Sequence, residues 1–329
     1  MTARPRRLPI SLRWSPTAWH RQQPTWRAAS PQIIATALKR AQIRSTGNWY
    51  VVGPSAAVRP DAGYGATVEG IEVVAWRDAN NALIAGPGAC PHMGAALAKA
   101  PVRCGTLVCS WHGLALNGAP FAGWQPFLAH DDGVLAWVRL DEHGGEDPLP
   151  APVIPSRPPA ASSLAAVYTG TGVCEPQDIV ANRLDPWHGA WFHPYSFADL
   201  TVLDDGATTD VMTVKVSFKL GGRLAVPVTV QFSAPGPRTV VMRIIEGEGI
   251  GSIVETHATP LGAARDGRPR TRVTEAVIAT SHRPGFAVAR TAAPLLRPVM
   301  RRAAGRLWKD DLAYAERRWQ LRSTGRLRA

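Results

Sequence analysis

No stretch of this 329-residue chain approaches the roughly 20 uncharged apolar residues that a membrane-crossing helix requires. Its Arg-studded start (Arg4, Arg6, Arg7, Arg13) also lacks the apolar run of a secretory signal. These absences predict a cytoplasmic address. Cysteine is scarce: four in the chain, too few for a disulfide scaffold, which fits a reducing compartment. Acidic residues are missing from residues 1–60, which hold ten Lys or Arg, and residues 301–329 carry nine basic against three acidic side chains. The net +12 therefore belongs to the termini. Such ends suit solvated tails, an acidic electron donor or an anionic membrane surface. Nucleic acid is not expected, because no helix-turn-helix, zinc-finger or RNA-binding signature accompanies the charge. The glycine pairs Gly144-Gly145 and Gly221-Gly222 make no dinucleotide fingerprint, so NAD(P)H and flavin have no site here.

With 45% apolar content the chain is long enough for two ordinary domains. Residues 1–46 read as a basic arm rich in Trp and Arg (Trp14, Trp19, Trp26) followed by a short amphipathic helix. That helix has Ser30 as N-cap, Pro31 at its first position, an apolar stripe of Ile33, Ile34, Leu38 and Ala41, and an end near Gly47. From 47 to 147, short β-prone runs (49–52, 71–76, 106–111, 134–138) separated by turn residues predict a small all-β domain. Six prolines between Pro148 and Pro159 mark a linker, assigned to 148–162, since neither a helix nor a central strand absorbs them. In 163–329 strict alternation over Met212, Val214, Val216, Phe218 and Leu220 predicts a half-buried strand, repeated over Val226–Phe232 and Val240–Ile244. A further run covers Val273–Ile278, and residues 286–322 read as helical, interrupted by Pro294 and Pro298. The second domain is thus expected to be α+β, an antiparallel sheet with helices on one side.

Two constellations carry chemistry. Cys90-Pro-His92 and Cys109-Ser-Trp-His112, sixteen residues apart, form Cys-x-His-x16-Cys-x2-His. Two Cys and two His suit either a cluster in which imidazoles replace two thiolates on one iron, or a structural zinc ion. The second is Asp185-Pro-Trp-His188-Gly-Ala-Trp-Phe-His193. Histidines five apart are rotated by about 140° in a regular helix, so both reach one metal only if the helix bends, as Pro186 and Gly189 allow. The alternative is a pair of partly buried histidines in an aromatic helix. Cys104 and Cys174 read as small core residues, and His20, His130, His143, His257 and His282 fall in no metal-like spacing.

The flanking residues decide the first case. Gly94, the Trp111-His112-Gly113 run and Asn48-Trp49-Tyr50 at the domain start resemble the Rieske family over roughly residues 47–140, with Met93 and Leu114 departing from its usual wording at positions that are not ligands. Ala95 and Trp111 stand where respiratory Rieske proteins carry extra cysteines, so the resemblance is to the oxygenase and ferredoxin branch. The second segment resembles the Asp-x2-His-x4-His motif of Rieske non-haem iron oxygenases.

That resemblance implies an oxygenase alpha component with a helix-grip-like catalytic domain. Cys90 and Cys109 would bind one iron of a [2Fe-2S] cluster and His92 and His112 the other. His188 and His193 would bind a mononuclear Fe(II) together with a carboxylate near the C-terminus. Lys309-Asp310-Asp311 through Glu316 resembles the family's ending and selects Asp311, with Asp310 as the neighbouring alternative. Asp185 matches the family's bridging aspartate, which implies a homotrimer, and Asn182 falls at the pocket edge. Electrons would come from a separate NAD(P)H-dependent reductase and/or a ferredoxin. The substrate is expected to be an apolar ring or isoprenoid-like molecule held against the Met212–Leu220 and Val226–Phe232 faces, hydroxylated, desaturated or demethylated with dioxygen. The arm would help approach a membrane surface. The competing readings are a Rieske-type electron-transfer protein without a second iron and a zinc-stabilised binding module.

Overall fold

Between Trp49 and Arg139 the β-prone runs become three small antiparallel sheets of three strands each. One joins Trp49–Pro54, Leu135–Arg139 and Leu128–Asp131, and the next Tyr64–Val68, Ile71–Arg77 and Leu83–Pro87. The third joins Val102–Arg103, Thr106–Val108 and Ala115–Leu116. The run expected over 106–111 stops at Val108, where the chain turns into the loop that bears Cys109. Trp76, Leu97, Leu107, Leu116 and Trp124 pack with Cys90 and Cys109 in one core, so both thiols are seated on the domain's own apolar centre. The computed structural model describes residues 12–327 except 15, 208 and 222. Arg4, Arg6 and Arg7 of the basic start, and Gly222, lie outside the described residues.

Residues 148–159 form neither helix nor strand. Beyond them stands one antiparallel sheet, with strands β1 (Ser163–Gly172), β2 (Phe197–Asp205), β3 (Met212–Gly221), β4 (Leu224–Gly236), β5 (Thr239–Gly247), β6 (Ile253–Ala263) and β7 (Pro269–Thr280). Their order is β1-β7-β6-β5-β4-β3-β2, and the arm adds Arg13–Trp14 as a short strand beside Leu224 and Ala225. The alternating segments read from the sequence become β3, β4, β5 and β7; β1, β2 and β6 were not read.

Besides a single helical turn at Asp141–Gly144, the helices are α1 (Pro31–Gln42), α2 (Pro176–Arg183), α3 (Gly189–Phe192), α4 (Phe286–Thr291) and α5 (Ala293–Ser323). One sheet face packs on α2 and α5 through Ala258 and Val273 against Ile179, Trp308 and Ala315. The opposite face meets the first domain: Ala276 packs with Trp49, Val51 and Trp137, and the Thr259 hydroxyl donates to the Val51 carbonyl at 2.9 Å. The middle of the sheet is thus sandwiched, which places one domain's loops and the other domain's helices on a common frame.

Three expectations need correction. Helix α1 ends at Gln42 rather than near Gly47, and Ser30 occupies its N-cap without a side-chain bond to the helix. Pro294 sits in the first turn of α5, where its missing N–H costs nothing, and α5 continues through Pro298; the break falls at Ala292. Cys104 is no core residue: it is exposed, with φ +48°, in the tight Cys104-Gly105 turn between two short strands. Cys174 is buried as expected.

Candidate metal centres and active site

The two cluster loops are built alike. Cys90 N–H donates to the Ala95 carbonyl and Cys109 N–H to the Leu114 carbonyl, each at 2.8 Å; Gly94 and Gly113 N–H groups return to the carbonyls of Cys90 and Cys109 at 2.8 and 2.9 Å. Closing so short a loop takes a left-handed residue, supplied by Gly94 (φ +74°) and Gly113 (φ +75°). Both thiols are buried at 3% and 2% exposure, while His92 and His112 are exposed, their ring centroids 4.8 Å apart and nearly perpendicular. Two sulfurs inward and two imidazoles outward is a donor set that fits a [2Fe-2S] cluster with thiolates on the inner iron and imidazoles on the outer one.

The second constellation converges as well. Helix α2 ends at Arg183, Pro186–His188 forms a single 3-10 turn, and α3 is only four residues long. The expected bend between the histidines is not seen: Gly189–Phe192 is helical, and the irregular turn lies before His188, so the two rings project from the two ends of this short helix. His188 Nε2 lies 3.2 Å and His193 Nε2 2.9 Å from Asp311 Oδ1, which also accepts the Asn182 side-chain N–H at 3.0 Å. Among the described residues, His188, His193 and Asp311 are the group whose ligand atoms gather, all within 4.8 Å of one another. Asp311 comes from α5, where Trp308 and Ala315, one turn to either side, are buried against the sheet.

Asp310 plays a different part. Its carboxylate accepts the Tyr195 hydroxyl at 2.6 Å and stands 3.5 Å from His193 Nδ1, which also faces that hydroxyl at 3.3 Å. These contacts orient the ring and leave Nε2 free for a metal. On the other ring, Asp185 Oδ2 stands 3.7 Å from His188 Nδ1 and accepts the Tyr314 hydroxyl at 3.1 Å; Asp185 Oδ1 is buried with no partner among the described residues. Burial opposes protonation of His188, but Asp185 and Asp311 outweigh it and push its pKa up to about 9. Burial likewise opposes ionisation of Asp311, yet the two imidazoles hold its carboxyl well below the usual range. A buried carboxylate pulling two imidazoles onto one oxygen marks a site of concentrated negative potential, suited to a cation. Asn182 is fully buried and its Oδ1 has no partner among the described residues, an acceptor left for whatever enters.

Beside the triad opens a narrow, mostly apolar cavity. Val214, Val216, Phe218, Val230 and Phe232 line it, drawn from the two faces named from the sequence, while Met212 packs under α1 instead. Sequence reasoning missed Tyr195 and Tyr314. Tyr314 stands three residues after Asp311 on the same helix face, a signal that was available; Tyr195 depends on α5 crossing behind it.

Residues 48–126 match the Rieske [2Fe-2S] domain family. In overall structure the chain is similar to dicamba monooxygenase bound to dicamba, at 17% identity over 87% of this chain and 92% of that one, with a TM-score of 0.60. It is similar to Pseudomonas putida CBB5 NdmB at 17% identity, 85% of each chain and TM-score 0.53. It also resembles the quaternary ammonium Rieske monooxygenase CntA in complex with an inhibitor, at 14% identity, 96% of this chain, 87% of that one and TM-score 0.53. No curated protein matches by sequence.

In fold the chain is therefore like these Rieske monooxygenases, a Rieske [2Fe-2S] domain followed by a larger sheet-and-helix domain. Residues 143–326 match the family described as "Domain of unknown function (DUF5914)", and the chain belongs to it.

Proposed function

We propose that this protein is a terminal oxygenase that oxidises an apolar small molecule with dioxygen, using a cluster held by Cys90, His92, Cys109 and His112 and a mononuclear Fe(II) held by His188, His193 and Asp311. The observation that carries the reading is the meeting of two histidines and a distant aspartate on the wall of an apolar cavity, downstream of a Rieske domain. A 2-His-1-carboxylate set that leaves coordination positions open supplies dioxygen activation when Fe(II) is bound. The protein's own side chains do the rest. Asp311 provides the charge that holds a divalent cation, Tyr195 and Asp310 fix the His193 tautomer, and the apolar lining excludes water.

Asp185 is assigned the bridge between His188 and a cluster histidine of a neighbouring copy in a homotrimer; its carboxylate 3.7 Å from His188 Nδ1 supports the His188 half of that bridge. The chain is taken to divide into the arm and first helix (1–46), the cluster domain (47–147), the linker (148–162) and the catalytic domain (163–329). Electrons would arrive from a separate reductase and/or ferredoxin. The apolar lining of the cavity supports a ring or isoprenoid-like substrate, to be hydroxylated, desaturated or demethylated. Trp14 and Trp26, each 70% exposed in a basic arm, support peripheral contact with an anionic membrane. No helix among the described residues is long and apolar enough to cross one.

The test counts iron and acid-labile sulfide after anaerobic reconstitution of the wild type and the His188→Ala/His193→Ala variant. The reading expects about three irons in the wild type and about two in the variant, with about two sulfides in both. Two irons in both proteins would leave a Rieske electron carrier. Liposome flotation of the full chain beside an arm-deleted chain tests the membrane contact, and equal flotation would remove it.

A further inference from the structure

The segment between His188 and His193 is too short to hold its own shape. A four-residue helix leaves most of its carbonyls without intrahelical partners. The residue that would cap Ala190 from four positions on is Pro194, which has no N–H. The donors come instead from the arm, more than 160 residues away. The Gln22 side-chain amide donates to the Ala190 carbonyl at 2.9 Å, the Trp19 indole N–H to the Trp191 carbonyl at 3.1 Å, and the Thr25 hydroxyl to the Trp187 carbonyl at 3.0 Å. The contact is reciprocal: the Trp191 indole N–H donates to the Gln23 carbonyl at 3.1 Å, and Trp191 meets Trp19 edge to face with centroids 5.3 Å apart. Thr17, through its backbone N–H and its hydroxyl, ties the start of this strap to Asp199 on β2.

We propose that Trp19, Gln22 and Thr25 are positioning residues for the His188/His193 pair: the arm is a strap that supplies the missing hydrogen bonds of this short segment and so sets the angle at which the two imidazoles converge. None of the three touches a ligand atom. Their effect is transmitted through the backbone carbonyls of 187, 190 and 191, which flank or lie between the histidines. The basic arm is thereby built into the catalytic domain, whatever surface its exposed tryptophans also meet. The inference rests on the reading of His188 and His193 as iron ligands.

The test uses full-length protein with its cluster assembled. Gln22→Glu/Thr25→Val removes both donors at nearly constant shape. Thr25→Ser keeps the hydroxyl, and Trp19→Phe removes the indole donor while keeping a ring. Fe(II) binding at the mononuclear site is measured by anaerobic equilibrium dialysis, with the electron paramagnetic resonance of the reduced cluster as an internal control. The double variant should bind Fe(II) about 10–100-fold more weakly, the range found when groups supporting a metal ligand are lost. Trp19→Phe should shift in the same direction, and Thr25→Ser should bind like the wild type, with an unchanged cluster signal throughout. Wild-type affinity in the double variant and in Trp19→Phe, where His188→Ala abolishes binding, would overturn the strap. Wild-type affinity in His188→Ala/His193→Ala would overturn the ligand reading beneath it.

Discussion

Replacing Arg157 with Met should cost about 3–5 kcal/mol of stability, the range for removing one partner from a buried ion pair. Arg157 leaves the proline-rich linker and enters the interface between the two domains. Its guanidinium bonds Glu255 of β6 twice at 2.6 Å and Asp132 of the cluster domain at 2.8 Å. The three side chains are 11%, 0% and 4% exposed, so solvent screening is weak. Met preserves the apolar stem and leaves two buried carboxylates without a cation. Asp132 keeps the N–H groups of Val134 and Leu135 and the Trp137 indole, whereas Glu255 keeps only His257 at 3.2 Å, so Glu255 carries most of the penalty. The sign with pH follows. Burial raises both carboxyls and Arg157 more than reverses it, so their folded pKa values lie below the ordinary ones. In the wild type that stabilisation is complete above the unfolded values of about 4 and is lost as pH falls through the depressed folded values. In Arg157→Met the main interaction opposing burial is gone and only His257 remains to Glu255, so the Glu255 carboxyl rises from its depressed position and its protonation relieves the variant. The gap between the two proteins should thus be largest near pH ~7.5 and shrink toward pH ~5. Urea unfolding followed by tryptophan fluorescence and cluster absorbance measures it, and Arg157→Met/Glu255→Gln should recover at least half. A gap below about 1 kcal/mol at pH ~7.5, or one that widens on acidification, would refute the reasoning.

Asp311→Asn should lose the mononuclear iron while Asp310→Asn keeps it with roughly tenfold weaker affinity, because only the first reaches both Nε2 atoms and the second acts through Tyr195; metal analysis of the paired variants separates them. Gly86→Ala should destabilise the cluster domain by about 1–3 kcal/mol, since the added methyl would stand 2.2 Å from the Trp124 ring, whose indole is fixed to the Pro87 carbonyl; thermal release of the cluster reports it. Glu146→Gln should cost about 1.5–3 kcal/mol at neutral pH, because one carboxylate oxygen collects the N–H groups of Thr46 and Gly47 and the hydroxyls of Ser45 and Thr46. Its carboxyl titrates below the ordinary range, burial opposing these bonds, so the difference should fade once pH drops under about 4.

What the sequence could disclose depended on how far apart the cooperating residues lie. The cluster loops were legible because each closes on itself within six residues, so spacing and the two glycines describe the geometry almost completely. His188 and His193 were legible as a pair, but their convergence on Asp311 was not, because it depends on how the Pro186–His188 turn and the four-residue α3 pack against α5. Asp311 stands 118 residues from His193 and could be chosen over Asp310 only by likeness to a family ending; the helix orientation that decides between neighbouring aspartates is a property of the packed sheet. Alternation revealed β3 and β4, each with one apolar face on the cavity. It failed for β6 because both faces of that strand are covered: Ala258 faces the helices, while Glu255, His257 and Thr259, all buried, face the other domain. A strand written Glu-Thr-His-Ala-Thr looks like a loop until the partner that satisfies its polar groups is in place. Those same groups mark the interface that Arg157 closes, so the segment least readable as structure is the one that fixes the two domains against each other.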